Sequence, residues 1–217
     1  AGQLHAFGIK RGDRVMVVMQ NCPQLVIAHL AIARANAVVV PVNPMNRAEE
    51  LRHYISDAEA KVCIATADLA HELAIASNGL EARNGLTHLV VSHFTDAIDA
   101  SDQSNVPLQW RGWMLTEHEL PELAEGSVHH WRYAMESAGK LPDPEVARDD
   151  LALLPYTSGT TGSPKGCMLT HGNVMHNAVG STFWLGMTPE TVSLTVLPLF
   201  HITGLVCVMH ASIYAGG

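Results

Sequence analysis

The sequence predicts an α/β fold, a mostly parallel sheet flanked by helices. Two observations carry that prediction. Short apolar runs alternate with amphipathic ones in the order strand, helix, strand, helix. The runs VMVVM, VVV and LALL are near-continuously apolar, as strands covered on both faces should be. The 217 residues suffice for one ordinary domain with a substantial core, or two small ones. Hydrophobic residues at 47% against 16% charged give a globular balance and argue against disorder.

The elements follow in order. AGQLHAFGI reads as the tail of a helix, with Leu4 and Phe7 at helical spacing and Gly8 as a stop. Arg14–Gln20 reads as a strand, and Pro23–Asn36 as a helix with Pro23 in its first turn. Val38–Val42 is the next strand. Arg47–Asp57 is a helix presenting Leu51, Tyr54 and Ile55 on one face. Val62–Ala65 reads as a strand, Leu69–Ser77 as a helix and Leu86–Ser92 as a strand. The pattern then breaks. Phe94–Asn105 is polar and acidic, and Pro107–Gly126 is mixed and supports no assignment. His129–Ser137 reads as a short helix, and Leu141–Asp150 as a connector whose prolines disfavour helix. Order resumes with a strand over Leu151–Thr157. Thr170 can cap a helix running to Phe183, Val192–Leu197 reads as a strand, and Gly204–Ala211 as a helix. No internal repeat or low-complexity segment interrupts this order.

Charge and cysteine usage narrow the partners. A formal net charge of −8 with no basic run argues against nucleic acid. Cys22, Cys63, Cys167 and Cys207 lie far apart without CxxC spacing, as expected of reduced thiols in a cytoplasmic protein. No signal peptide is visible at the start. The longest apolar stretch, Thr203–Ala215, falls short of the roughly 20 residues a membrane span needs. Both ends read as cut, so the chain is expected to be part of a longer protein. Of the histidines, His171 with His176 and His129 with His130 lack any recognised ligand spacing, and no protein-held metal is expected.

The stretch Tyr156–Gly166, YTSGTTGSPKG, is the candidate site. Gly159, Gly162 and Gly166 would let the backbone turn and approach a ligand. Backbone N–H groups could then converge on an anion. Thr157, Ser158, Thr160, Thr161 and Ser163 add hydroxyl donors, and Lys165 adds a mobile charge. Composition alone suits a flexible Ser/Gly linker equally well. Against the linker stand the position between a buried strand and a helix, and the placement of Pro164 and Lys165. A Walker A loop requires GxxxxGK followed by Ser or Thr, and this stretch does not match it.

The whole of Tyr156–Gly166 resembles the signature loop of the adenylate-forming superfamily, which includes acyl-CoA synthetases, firefly luciferase and peptide-synthetase adenylation domains. Three further stretches are similar to segments of that family. They are Ala35–Pro44 (ANAVVVPVNP, with Asn36 where glycine is common), Met168–His171, and Pro198–His201 followed by Gly204. The resemblance implies part of the large N-terminal domain of such an enzyme, spanning residues 1–217. It also implies a two-step reaction. A carboxylate attacks the α-phosphate of ATP to give acyl-AMP and pyrophosphate, and a thiol, usually coenzyme A, then takes the acyl group.

The resemblance makes the loop a clamp for the departing phosphates, a role that suits anion-stabilising chemistry. Thr157, Ser158, Gly159, Thr160, Thr161, Gly162, Ser163, Lys165 and Gly166 would hold ATP, with Lys165 supplying charge as the loop closes. Magnesium would arrive with ATP and lie near a loop threonine, Thr160 being the candidate. His201 would lie by the carboxylate and the α-phosphate. The helix near Gly204–Ala211 would help wall a pocket for an apolar acid, though its residues equally suit plain core. The family's later adenine, ribose and C-terminal lysine segments have no counterpart in these 217 residues, so the chain alone is expected not to catalyse adenylation. A peptide-synthetase adenylation domain and a non-catalytic nucleotide- or acyl-binding domain stand as alternatives to the acyl-CoA synthetase.

Overall fold

The computed structural model describes residues 1–99, 101–136, 141, 143–157 and 162–217. The elements run α1 (Gly2–Ala6), β1 (Arg14–Val18), α2 (Pro23–Arg34), β2 (Val38–Val42), α3 (Ala48–Asp57), β3 (Val62–Thr66), α4 (Ala67–Asn78) and β4 (His88–Ser92). They continue through α5 (Leu108–Met114), β5 (Ser127–His130), α6 (Trp131–Glu136), β6 (Leu151–Leu153), β7 (Tyr156–Thr157), β8 (Lys165–Gly166), β9 (Leu169–Thr170) and α7 (His171–Leu185). A π-helical segment, Thr203–His210, leads into α8 (Ala211–Ala215). Seven strands form one sheet in the order β5-β4-β3-β1-β2-β6-β9. Its pairings are parallel except β6 with β9.

Both faces of this sheet are covered, as the apolar runs predicted. Val15, Val17 and Met19 enter one core with Leu25 and Ile32 of α2 and Val174 and Ala178 of α7. Met16 and Val18, pointing the other way along the same strand, enter a second core with Leu51 and Ile55 of α3 and Leu73 of α4. Parallel β1 and β2 pair Arg14 with Val38 through Val18 with Val42, so both strands end at the same sheet edge. In sheets of this kind that carboxyl edge is where ligands bind.

Asn36 follows α2 with φ +60°, the left-handed region that asparagine tolerates better than most residues. This accounts for asparagine at a position where glycine would also serve. Its side chain then does what glycine could not. Oδ1 accepts from the Glu145 N–H at 3.2 Å, and Nδ2 donates to the Asp143 carbonyl at 3.3 Å.

Several boundaries differ from the sequence expectation. The strand expected over Leu151–Thr157 divides into β6 and β7, because Pro155 has no N–H with which to continue a ladder. Within the short helix expected over His129–Ser137, His129 and His130 instead finish β5, paired with Val90 and Val91 of β4, and the helix begins at Trp131. A free sheet edge outweighs a weak local helix preference there; Ser137 lies outside the described residues. Residues Val192–Leu197 form no strand. Val192, Leu194 and Val196 are 96, 86 and 73% exposed, and the backbone is held by the Asn21 side chain instead of a neighbouring strand. Within the unassigned stretch Pro107–Gly126 lies α5. The expected helix at Gly204–Ala211 is present but π-wound, and its Leu205, Val206 and Met209 are buried in the core. Among the described residues no helix is long and apolar enough to cross a membrane.

Candidate functional site

Beyond the carboxyl ends of β2 and β6 lies a cleft of about 760 Å³. Three parts of the chain that are distant in sequence meet in it: Pro41–Asn43, Pro155–Thr157 with Pro164, and Phe200–Ile202. Each is carried there by a different element. Residues 41–43 finish and follow β2, where Asn43 Oδ1 accepts the Met45 N–H at 2.9 Å and turns the chain. Residues 200–202 precede the π-helical segment.

The glycine-rich loop is the connection of a two-stranded antiparallel hairpin. Tyr156 pairs with Gly166 and Thr157 with Lys165. The Thr157 hydroxyl donates to the Lys165 carbonyl at 3.4 Å, and the Cys167 N–H donates to the Pro155 carbonyl at 2.8 Å. Thr157 and Lys165 are exposed, and Thr157 lines the cleft while Lys165 does not. Gly162 and Ser163 are exposed beside Lys165. Ser158, Gly159, Thr160 and Thr161 lie outside the described residues, and with them the expected magnesium neighbourhood at Thr160. Gly166 has a packing reason to be glycine. A Cβ there would sit 3.0 Å from Leu154 Cδ1 and 3.1 Å from its Cγ.

Helix α3 reaches both sides of this hairpin. The Tyr156 hydroxyl donates to Asp57 Oδ2 at 2.6 Å, and the Tyr156 ring packs 4.5 Å from that of Tyr54. Burial, and then the neighbouring Asp57 carboxylate, push the Tyr156 phenol well above its ordinary pKa, so it stays protonated and donates. His53 Nε2 lies 2.8 Å from the Pro164 carbonyl. A carbonyl can only accept, so Nε2 carries the proton.

His201 stands exposed at the cleft wall in a locked turn. Its N–H donates to the Pro198 carbonyl at 3.1 Å, and its carbonyl accepts from Leu205 at 2.9 Å. The Thr203 N–H donates to Nδ1 at 3.3 Å. In the neutral ring the proton therefore sits on Nε2. Gly204 makes the turn possible, because any Cβ there would overlap the Pro198 carbonyl oxygen. From the end of β1, Asn21 grips the same stretch. Its Oδ1 accepts the Leu199 N–H at 2.8 Å and its Nδ2 donates to the Leu197 carbonyl at 2.9 Å.

Thr157, Pro164 and His201 thus line one cleft. Asn21, His53 and Asp57 escaped the sequence reading, which placed Tyr54 only on the apolar face of its helix. Only the i, i+4 spacing of His53 and Asp57 on a predicted helix hinted at a shared face. His171 and His176 lie on α7, and His129 pairs with His88 on neighbouring strands, Nε2 to Nδ1 at 3.1 Å. Among the described residues no group of three or more His, Cys, Asp or Glu is arranged to hold a metal.

Comparison with known proteins matches the whole chain, residues 1–217, to the family model described as AMP-binding enzyme. A long-chain-fatty-acid–CoA ligase of Bacillus subtilis is 32% identical over all of the chain, which covers 38% of that protein. A long-chain-fatty-acid–CoA ligase of Escherichia coli O6:H1 is 32% identical over 91% of the chain and 35% of its own length. The chain therefore spans little more than a third of these relatives. Among solved structures, the ATP-bound RpMatB–BxBclM chimera B3 superposes with a TM-score of 0.72 at 26% identity, over 99% of this chain and 36% of the chimera.

Proposed function

Because the chain belongs to the AMP-binding enzyme family, we propose that it is the N-terminal portion of an AMP-forming acyl-CoA synthetase acting on an apolar carboxylic acid. The observation that carries this reading is the meeting of Pro41–Asn43, of Pro155–Thr157 with Pro164, and of Phe200–Ile202 in one cleft at the carboxyl edge of the sheet. Sequence relatives that are long-chain-fatty-acid–CoA ligases support the choice of acid and thiol.

In this reading the acid's carboxylate oxygen attacks the α-phosphorus of MgATP, and the bond to pyrophosphate breaks. Coenzyme A sulfur then attacks the acyl carbon, and AMP leaves. Thr157, Ser158, Thr160, Thr161 and Ser163, with the loop amides of Gly159, Gly162 and Gly166, hold the β- and γ-phosphates. Lys165 adds a positive charge as pyrophosphate departs. Magnesium arriving with ATP would neutralise part of the phosphate charge. His201 presents its Nε2–H to the cleft, where it can donate to the acid or the α-phosphate.

The test compares this 217-residue chain with a chain extended to the relatives' length. The longer chain is expected to exchange pyrophosphate into ATP and to release AMP in a CoA-dependent way, most with acids of long apolar tail. The 217-residue chain is expected to do neither. Exchange by the short chain, or AMP release without dependence on CoA or acid, contradicts the proposal.

A further inference from the structure

We propose that α3 sets the position of the phosphate-gripping hairpin, with His53 and Asp57 as its positioning residues; this rests on the reading of that hairpin as a phosphate site. The hairpin cannot place itself. Each of its strands has two residues, and a two-stranded ribbon is marginal even at greater length. Its position must come from what it leans on.

Helix α3 is a firm support. Leu51 and Ile55 are fully buried in the core beneath the sheet, and Tyr54 is nearly so. In the first turn Glu50 Oε2 accepts the Arg47 N–H at 2.9 Å, and Glu72 of α4 accepts the Ala48 N–H at 3.0 Å. From this platform His53 and Asp57, one helical turn apart on one face, reach opposite sides of the loop. Asp57 holds Tyr156, which leads into Thr157. His53 holds the Pro164 carbonyl, which leads into Lys165. The first contact anchors the side chain, and the second the backbone carbonyl, of the residue immediately before one assigned to the phosphates.

The two contacts differ in chemistry. Asp57 accepts as a carboxylate from a phenol kept protonated. His53 donates from Nε2, which carries a proton in both the neutral Nε2–H tautomer and the imidazolium. Asparagine can replace the acceptor and glutamine the donor, so side-chain geometry, not charge, is the property under test.

The experiment uses the 217-residue chain with His53→Leu and Asp57→Ala, and the conservative His53→Gln and Asp57→Asn. Two quantities are read: hydrogen exchange of the hairpin amides, Cys167 included, and affinity for inorganic pyrophosphate with magnesium. Each truncating variant is expected to speed hairpin exchange about tenfold while leaving β1 and β3 amides unchanged, and to weaken pyrophosphate binding about fivefold. The conservative variants are expected to retain most of both. Unchanged hairpin exchange, an equal rise throughout the sheet, or pyrophosphate affinity untouched by the truncations would overturn the proposal. Failure of the unsubstituted chain to bind pyrophosphate counts against the phosphate-site reading instead, and the exchange pattern still decides whether α3 positions the hairpin.

Discussion

His29 of α2 and His210 at the end of the π-helical segment meet edge to face, their Nε2 atoms 2.7 Å apart and ring centroids 4.8 Å apart. His29 is 2% exposed. One nitrogen of the pair must donate and the other accept, so a single proton lies between two neutral rings. Burial, then His210 beside it, push His29 down to about 3. Burial, then His171 on α7, lower His210 as well.

The sign of the pH effect follows from linkage. The unfolded chain takes up a proton on His29 near pH 6.5 while the folded chain does not until about pH 3. Stability contributed by neutral His29 is full above 6.5 and falls as pH drops through that window, by up to about 1.4 kcal/mol per unit. Urea unfolding at pH 7 and pH 5 should show the loss. His29→Gln should flatten it, and a slope unchanged by that substitution would remove His29 as its source.

Gly204→Ala is expected to cost about 2 kcal/mol or more, because the new methyl group would overlap the Pro198 carbonyl oxygen. The turn carrying His201 should shift with it. Thermal unfolding reports the first effect, and the His201 ring resonances report the second. A stable variant with unmoved His201 signals would mean that the turn accommodates a Cβ.

Asn21→Ala removes an acceptor for the Leu199 N–H and a donor to the Leu197 carbonyl. A loss of about 1–2 kcal/mol is expected from the two bonds together. Because 192–197 has no strand partner, proteolysis at Val192–Leu197 should accelerate more than the global loss explains. Equal acceleration elsewhere would argue that Asn21 acts on the fold as a whole.

Lys165→Ala should weaken pyrophosphate binding several-fold, with a smaller loss in high salt because Lys165 is exposed. Its stability should hardly change. Affinity identical to that of the unsubstituted chain would end the role assigned to this lysine.

The sequence by itself determined the fold class. Its strands bury both faces, so they are apolar at nearly every position, and the alternation with amphipathic helices leaves few other architectures. It also singled out the short stretches proposed to carry chemistry, since YTSGTTGSPKG and its companions at Pro41–Pro44 and Pro198–His201 are local patterns. Tertiary structure alone decided how those stretches meet and what holds them. Pro155 divides one apolar run between a sheet and a hairpin because backbone pairing needs an N–H and a partner. His129 and His130 become strand because β4 offers an edge. Asn21 grips residues more than 170 positions away, and His53 and Asp57 steady a loop about a hundred positions on. These are hydrogen bonds between groups that only the folded sheet brings within 3 Å. No local period in the chain encodes them, which is why they emerge from the structure and not from the sequence.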